Sequence, residues 1–147
     1  MLPVRLLSSR AKLPTRGTKG SAGLDLYADI DPNELSNGVN IYPQETKAVS
    51  TGLSVEIPIG FLGYIVSRSG LAIRYSIGIL CGVIDSDYRG ELSVIVHNHG
   101  KNVVHFNHGD KIAQLVILPY IHLVPFKLDS LTDTERGDKG FGSTGND

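Results

Sequence analysis

The composition is that of a chain that fits one domain. It has 147 residues, with 14 Lys+Arg against 15 Asp+Glu and a formal net charge of -1. This charge excludes the broad basic surface of nucleic-acid and anionic-membrane binders, and no apolar run approaches the ~20 residues of a membrane span. The single cysteine, Cys81, excludes a disulfide framework and a thiolate zinc cluster, and is consistent with a reducing compartment. We therefore expect neither nucleic acid nor a membrane as partner.

The N-terminal segment is basic: its first twenty residues contain five Lys or Arg and no acidic residue. Transit peptides share this composition. We favour a first strand from Val4 to Leu7 and a turn-rich loop, because the patterned core begins immediately afterwards.

Strand patterns dominate the rest of the chain. Alternating or β-branched apolar runs occupy 54–60, 63–67, 91–98, 111–118 and 121–128. They are separated by turn residues from a pool of 17 Gly and 7 Pro. This spacing predicts an all-β fold, an antiparallel jelly-roll-like barrel. One short helix is expected after Ser69, where Leu71 and Tyr75 share a face at i,i+4 spacing.

The apolar content falls at about Asp129. We expect residues 1–128 to form the barrel and 129–147 to form a mobile arm, because the arm has too little apolar content to pack alone. The arm contains G-x-G-x-x-G over 140–145. A dinucleotide fold needs ~30 residues around that pattern, and only two residues follow it.

Two segments combine residues that suit phosphate-ester chemistry. In Val66–Ala72, a Ser-Arg-Ser-Gly run opens a helix, which fits an anion site, or a serine N-cap beside an Arg68 ion pair. In Gly82–Glu91, Asp85 follows an apolar pair that we interpret as part of a hairpin through Cys81. Asp85 could accept a proton from water and Tyr88 could pack against a sugar, or both could belong to an Asp-rich turn.

The remaining reactive side chains favour simpler interpretations. Four histidines cluster at His97, His99, His105 and His108. They suggest metal ligands, but Gly100-Lys101-Asn102 resembles a hairpin turn that places them on a solvated rim. Cys81 is expected to be a small buried residue rather than a nucleophile.

Taken in order, five segments resemble the five motifs of the trimeric dUTPases. They are 22–28, 68–72, 82–90, 109–115 and 136–145. The resemblance spans nearly the whole chain. It implies hydrolysis of dUTP to dUMP and pyrophosphate with Mg²⁺, in a jelly-roll homotrimer whose active sites each draw on all three subunits, in the cytoplasm or nucleus.

The same resemblance implies a role for each matching residue. Asp85 is the base that deprotonates water, Tyr88 lies beneath the deoxyribose, and backbone groups of Cys81 and Gly82 read the uracil. The phosphates are held by Arg68, Ser69, Gly70 and Gln114, with Asp25 near the Mg²⁺ shell. The arm closes the site through Arg136, Phe141, Gly142, Ser143 and Thr144, with Phe141 over the uracil.

One position departs from the family pattern, and two rival functions remain. Ser67 replaces the usual proline, so the loop loses a fixed φ and gains an N–H. The related dCTP deaminases share the fold, but Tyr88, Phe141 and the run Gly70–Ala72 follow the dUTPase pattern. A silent nucleotide-sensing or partner-binding module is the other rival, although every residue assigned to catalysis is present.

Overall fold

The computed structural model describes residues 1–33 and 38–138. Within them, the strands are β1 (Val4–Leu6), β2 (Leu24–Tyr27), β3 (Val39–Ile41), β4 (Thr46–Ser50), β5 (Leu53–Val55), β6 (Phe61–Val66), β7 (Ile77–Leu80), β8 (Val83–Ile84), β9 (Ser93–Asn98), β10 (Val104–Phe106) and β11 (Lys111–Pro119). The helix α1 spans Ser69–Tyr75. The all-β class and the short helix are therefore confirmed.

The strands form small antiparallel sheets around one core. Their orders are β1-β5, β10-β3, β2-β11-β6-β8 and β4-β9-β7. In β9 the alternation seen in the sequence is realised, since Val94 and Val96 are fully buried between partly exposed neighbours. Asn98 is also fully buried. Its amide donates to the carbonyls of Ile41 and Asn102 at 2.9 Å each, so its burial leaves those donors satisfied.

Strand β11 brings distant parts of the chain together. It pairs with β2 on one side and β6 on the other, and Gln114 lies opposite Asp25 and Val66. Val66 is the last residue of β6, so the Ser-Arg-Ser-Gly run begins beside Gln114. A single central strand thus aligns the segments around Asp25, Arg68 and Gln114.

Three sequence-based expectations are wrong. The run 121–128 forms no strand within the described chain, because an extended segment needs a hydrogen-bonding partner and none of the sheets supplies one. The turn at Cys81 joins no hairpin, since β7 pairs with β9 whereas β8 pairs with β6. The turn at Gly100–Asn102 likewise leads from β9 to a strand that pairs with β3.

None of the helices in the two described ranges is long and apolar enough to cross a membrane.

Candidate functional site

A cleft of about 570 Å³, called the cationic cleft here for its Arg68 and Lys111 side chains, is lined by residues of β2, α1, β10 and the start of β11. Asp25, with 13% of its side chain exposed, pairs with both Arg68 and Lys111. One carboxylate oxygen lies 3.3 Å from Arg68 Nε, and the other lies 2.7 Å from Lys111 Nζ. Arg68 Nη1 also donates to the Lys111 carbonyl at 3.2 Å. Two cations, Arg68 and Lys111, therefore stand at this cleft and suit phosphate, with Asp110 as the carboxylate that lines it beside them.

Asp25 also affects the titration of its neighbour. Its hydrogen bond to the ammonium, and then its negative charge, raise the pKa of Lys111 above the ordinary value of 10.5. Lys111 is therefore positively charged at neutral pH. The sequence gives Lys111 no predicted role, although the residue stands inside segment 109–115.

Gln114 is hydrogen-bonded to the loop that carries Arg68. Its amide donates to the Ser67 carbonyl at 3.4 Å. A Cβ atom on Gly23 would lie 2.3 Å from Gln114 Oε1, so a side chain there would displace the Gln114 amide. Gln114 thus holds the backbone of Ser67, the residue before Arg68, and Arg68 lines the cleft.

The start of α1 differs from the serine cap considered above. Arg68 occupies the N-cap position with extended backbone, and no side chain caps the helix. Ser69 and Gly70 are the first helical residues and are exposed. The Ser69 hydroxyl therefore makes no N-cap bond.

A second cleft, of about 280 Å³, contains the other candidate residues. Asp85 and Tyr88 line it together with Val83, Ile84, Glu91, Ser93 and Ile95. Asp85 directly follows β8, and the Tyr88 N–H donates to its carbonyl at 3.2 Å. The Asp-rich turn is therefore real, and it places a carboxylate and an aromatic ring in one cleft.

The turn before β8 lies against the backbone of β6. Ile65 N–H donates to the Gly82 carbonyl at 2.7 Å. A Cβ atom on Gly82 would lie 2.3 Å from the Ile65 carbonyl oxygen. Cys81 has φ of 52° and is exposed, so its expected burial is wrong. The turn points outward because it passes between two sheets.

The two clefts share no lining residue. Arg136 is exposed, and Phe141, Gly142, Ser143 and Thr144 lie outside the described residues. Within one chain, the structure therefore joins Asp25, Arg68 and Gln114, and separately joins Asp85 and Tyr88.

Two further side-chain arrangements involve residues from distant segments. The Glu91 carboxylate accepts from Gly52 N–H at 2.8 Å and from the Ser50 hydroxyl. The rings of His97 and His99 have centroids 4.2 Å apart. Among the described residues, no group of three His, Cys, Asp or Glu side chains is placed to hold a metal. Nothing in the local pattern around Glu91 indicates a contact some forty residues away.

One cleft with two cations and a separate cleft with a carboxylate and an aromatic ring suit the class of phosphate-ester-binding proteins, and comparison with known proteins specifies the family. The dUTPase family profile matches residues 9–145. The deoxyuridine 5'-triphosphate nucleotidohydrolase of Anaeromyxobacter is 47% identical over 136 residues, covering 91% of this chain and 88% of its own. The Candida albicans protein of that name is 40% identical over 146 residues, covering 98% and 87%.

Solved structures agree. The Staphylococcus bacteriophage 80alpha dUTPase with dUPNHPP is 29% identical with a TM-score of 0.88, covering 99% of this chain and 98% of its own. A mutant dUTPase from phage phi11 of S. aureus, described with a structural Mg(II) ion, is 28% identical with a TM-score of 0.79, covering 90% and 99%. This chain belongs to the dUTPase family.

Proposed function

We propose that this protein hydrolyses dUTP to dUMP and pyrophosphate, which limits uracil incorporation into DNA and supplies dUMP for thymidylate synthesis. The observation that carries the proposal is the shared cleft of Asp85 and Tyr88 at the end of β8, in a chain whose family match covers residues 9–145. The cleft combines a proton acceptor with a flat surface for a sugar.

Asp85 is the general base. Hydrolysis breaks the link between the α- and β-phosphates, and the attacking water must lose a proton as its oxygen bonds to phosphorus. Asp85 is exposed at the mouth of the cleft and accepts that proton, while pyrophosphate departs as the leaving group.

The nucleoside lies between Asp85 and the turn at Cys81. Tyr88 packs beneath the deoxyribose and leaves no room for a 2′-hydroxyl, while backbone groups of Cys81 and Gly82 read the uracil edge. The positive φ of Cys81 and the close approach of Gly82 to Ile65 support this assignment, because they hold the backbone of the turn in one conformation.

The triphosphate is bound by the cationic cleft. Arg68, Ser69, Gly70 and Gln114 hold its oxygens, and Lys111 adds a second positive charge 2.7 Å from Asp25. Positioning and charge neutralisation are what phosphoryl transfer chiefly requires from a protein.

Magnesium fits this donor set as a substrate-bound ion. Both Asp25 oxygens already contact a cation, so Asp25 supports the surroundings of the ion rather than enclosing it. Mg²⁺ is commonly held by one or two carboxylates, waters and substrate phosphates, which agrees with the lack of a ligand cluster among the described residues. When bound, it neutralises charge on the phosphates.

The active form is a homotrimer with shared sites. Residues after β11 expose large apolar side chains that a single chain leaves uncovered: Ile121 at 82%, Leu123 at 78%, Val124 at 79% and Phe126 at 79%. A neighbouring subunit covers them, and another subunit's cationic cleft completes the site at Asp85. The arm then brings Arg136, Phe141, Gly142, Ser143 and Thr144 over the nucleotide.

The test is a pyrophosphate-release assay with Mg²⁺ and dUTP, dTTP, dCTP or UTP, combined with sedimentation. We expect turnover of dUTP alone, by a trimer. Ammonia release from dCTP would instead indicate a deaminase. Tight dUTP binding without pyrophosphate release would indicate a nucleotide-sensing module.

A further inference from the structure

The Tyr88 side chain is held by the two residues that follow Arg89. Its hydroxyl donates to the Glu91 carbonyl at 3.0 Å. Its ring lies against Gly90, where a Cβ atom would be 2.3 Å from Oη, 2.5 Å from Cζ and 2.9 Å from Cε2. Gly90 has no positive φ, so a side chain there would displace the Tyr88 ring rather than strain the backbone.

Glu91 is in turn tethered to the turn between β4 and β5. Its carboxylate accepts from Gly52 N–H at 2.8 Å and from the Ser50 hydroxyl. The Ser54 hydroxyl donates to the Arg89 carbonyl at 2.8 Å, which anchors the same segment from the other side of that turn. The backbone of Glu91, whose carbonyl orients Tyr88, is therefore held against the β4–β5 turn.

We infer that Gly90 and Glu91 are positioning residues that set the sugar selectivity of the enzyme by fixing the Tyr88 ring. The inference rests on the proposed function, in which Tyr88 excludes the 2′-hydroxyl. This exclusion depends on where the ring lies. Even with a well-placed wall, a pocket lowers kcat/KM for a substrate with an added hydroxyl by only about 10²-fold. A ring displaced by a fraction of its own width loses part of that factor.

A substitution at Gly90 is expected to change sugar selectivity without disturbing the fold. The atoms that a new Cβ would meet are the distal end of a side chain that is 45% exposed, so Tyr88 can move into solvent while the backbone keeps its course. Substitution at Gly90 is therefore expected to change the ring position with little effect on stability.

The first variant is Gly90→Ala, and its matched control is Gly20→Ala. A Cβ on Gly20 meets nothing within 4 Å, and Gly20 has no positive φ. The measurement is kcat/KM for dUTP and for UTP in each protein, with Tm and sedimentation as checks of folding. We expect Gly90→Ala to lower the dUTP-to-UTP ratio about tenfold, mainly through better use of UTP. Gly20→Ala should keep the ratio.

Glu91 provides an independent comparison. Glu91→Gln keeps an oxygen that accepts from Gly52 and Ser50, whereas Glu91→Ala removes it. We expect the alanine variant to lose selectivity and the glutamine variant to retain most of it. A general loss of folding would instead lower turnover of both nucleotides together and would not change their ratio.

The possible outcomes distinguish failure of this inference from failure of the proposed function on which it rests. If the unmutated protein rejects UTP and Gly90→Ala keeps the same ratio, the inference is wrong and the proposed function stands. If the unmutated protein does not hydrolyse dUTP, the proposed function is wrong and the inference falls with it.

Discussion

At the scale of single residues, Asp85 and Asp87 provide a direct comparison of two carboxylates in one turn. Both are exposed, but only Asp85 lines the cleft with Tyr88. We expect Asp85→Asn to lower kcat by ~10²–10⁴-fold, the usual contribution of general-base catalysis, with little change in the Kd for dUTP. Asp87→Asn is the control and should stay near wild type. Turnover of Asp85→Asn within a factor of three of wild type would remove Asp85 from the base role.

The pair of Lys111 and Asp25 predicts a pH dependence of stability. The pKa of Lys111 is raised above 10.5 in the folded chain, so the stabilisation from this pair is fully present below that value and is lost as pH rises through the raised pKa. Lys111→Gln should therefore lower Tm by a constant amount from pH 7 to about pH 10, and by less at higher pH. Tm scans of both proteins at matched ionic strength provide the measurement. A difference that already shrinks below pH 9 would contradict this assignment.

The sequence predicts the shared cleft of Asp85 and Tyr88 better than it predicts the ion pairs of Asp25. Asp85 and Tyr88 are three positions apart, so one turn places both at the same cleft, and their pattern alone suggests it. Contacts between Asp25, Arg68 and Lys111 depend on β11 pairing with both β2 and β6. Local patterns contain no information on such register, so the ion pairs of Asp25 with Arg68 and Lys111 were found only in the structure.

At the scale of elements, the turn between β7 and β8 depends on backbone contact. A Cβ on Gly82 would overlap the Ile65 carbonyl, which belongs to β6 and cannot swing away as a side chain does. We expect Gly82→Ala to lower the free energy of unfolding by ~1–3 kcal/mol, as for overpacked sites, and to raise the KM for dUTP. Denaturant unfolding checks the first effect, with Gly20→Ala as the control. Stability equal to that of the control would show that the turn is not held against β6.

Strand partners were harder to predict than strands. The alternation in 91–98 was confirmed in β9, because side chains that alternate between core and solvent leave a period of two in the sequence. The same pattern says nothing about which strand lies alongside. Adjacent strands were therefore interpreted as hairpins at Cys81 and Gly100, whereas the chain passes to a different sheet in both places.

At the scale of the whole molecule, contact with a neighbouring subunit would explain both the exposed apolar segment after Pro119 and the separation of the two clefts. The run 121–128 is predicted to be a strand but pairs with none of the strands in residues 1–33 and 38–138, and its apolar residues are exposed. Burial of apolar surface is a main source of stability in permanent assemblies. An apolar run looks the same in the sequence whether its partner lies in the same chain or in another subunit. The wrong strand prediction at 121–128 is therefore what the proposed trimer would produce.

The proposed closing arm and shared active site predict complementation between inactive chains. Deleting 136–147 should leave a folded trimer that binds dUTP weakly and turns it over poorly. If the proposed closure is right, Arg136 would supply charge-assisted bonds worth ~1.5–3 kcal/mol each and Phe141 would add stacking worth ~1–3 kcal/mol, offset by the ~1–2 kcal/mol per residue needed to order the backbone. Deleting only Asn146 and Asp147 is the control and should retain activity.

In mixed trimers refolded from truncated chains and Asp85→Asn chains, some sites would combine Asp85 from one chain with an intact arm from another. We therefore expect turnover to reappear on mixing two nearly inactive proteins, as measured by pyrophosphate release, with sedimentation confirming trimers. Turnover that stays at the sum of the two separate proteins would show that base and arm come from the same subunit. A truncated protein that keeps full kcat would show that the arm does not close the site.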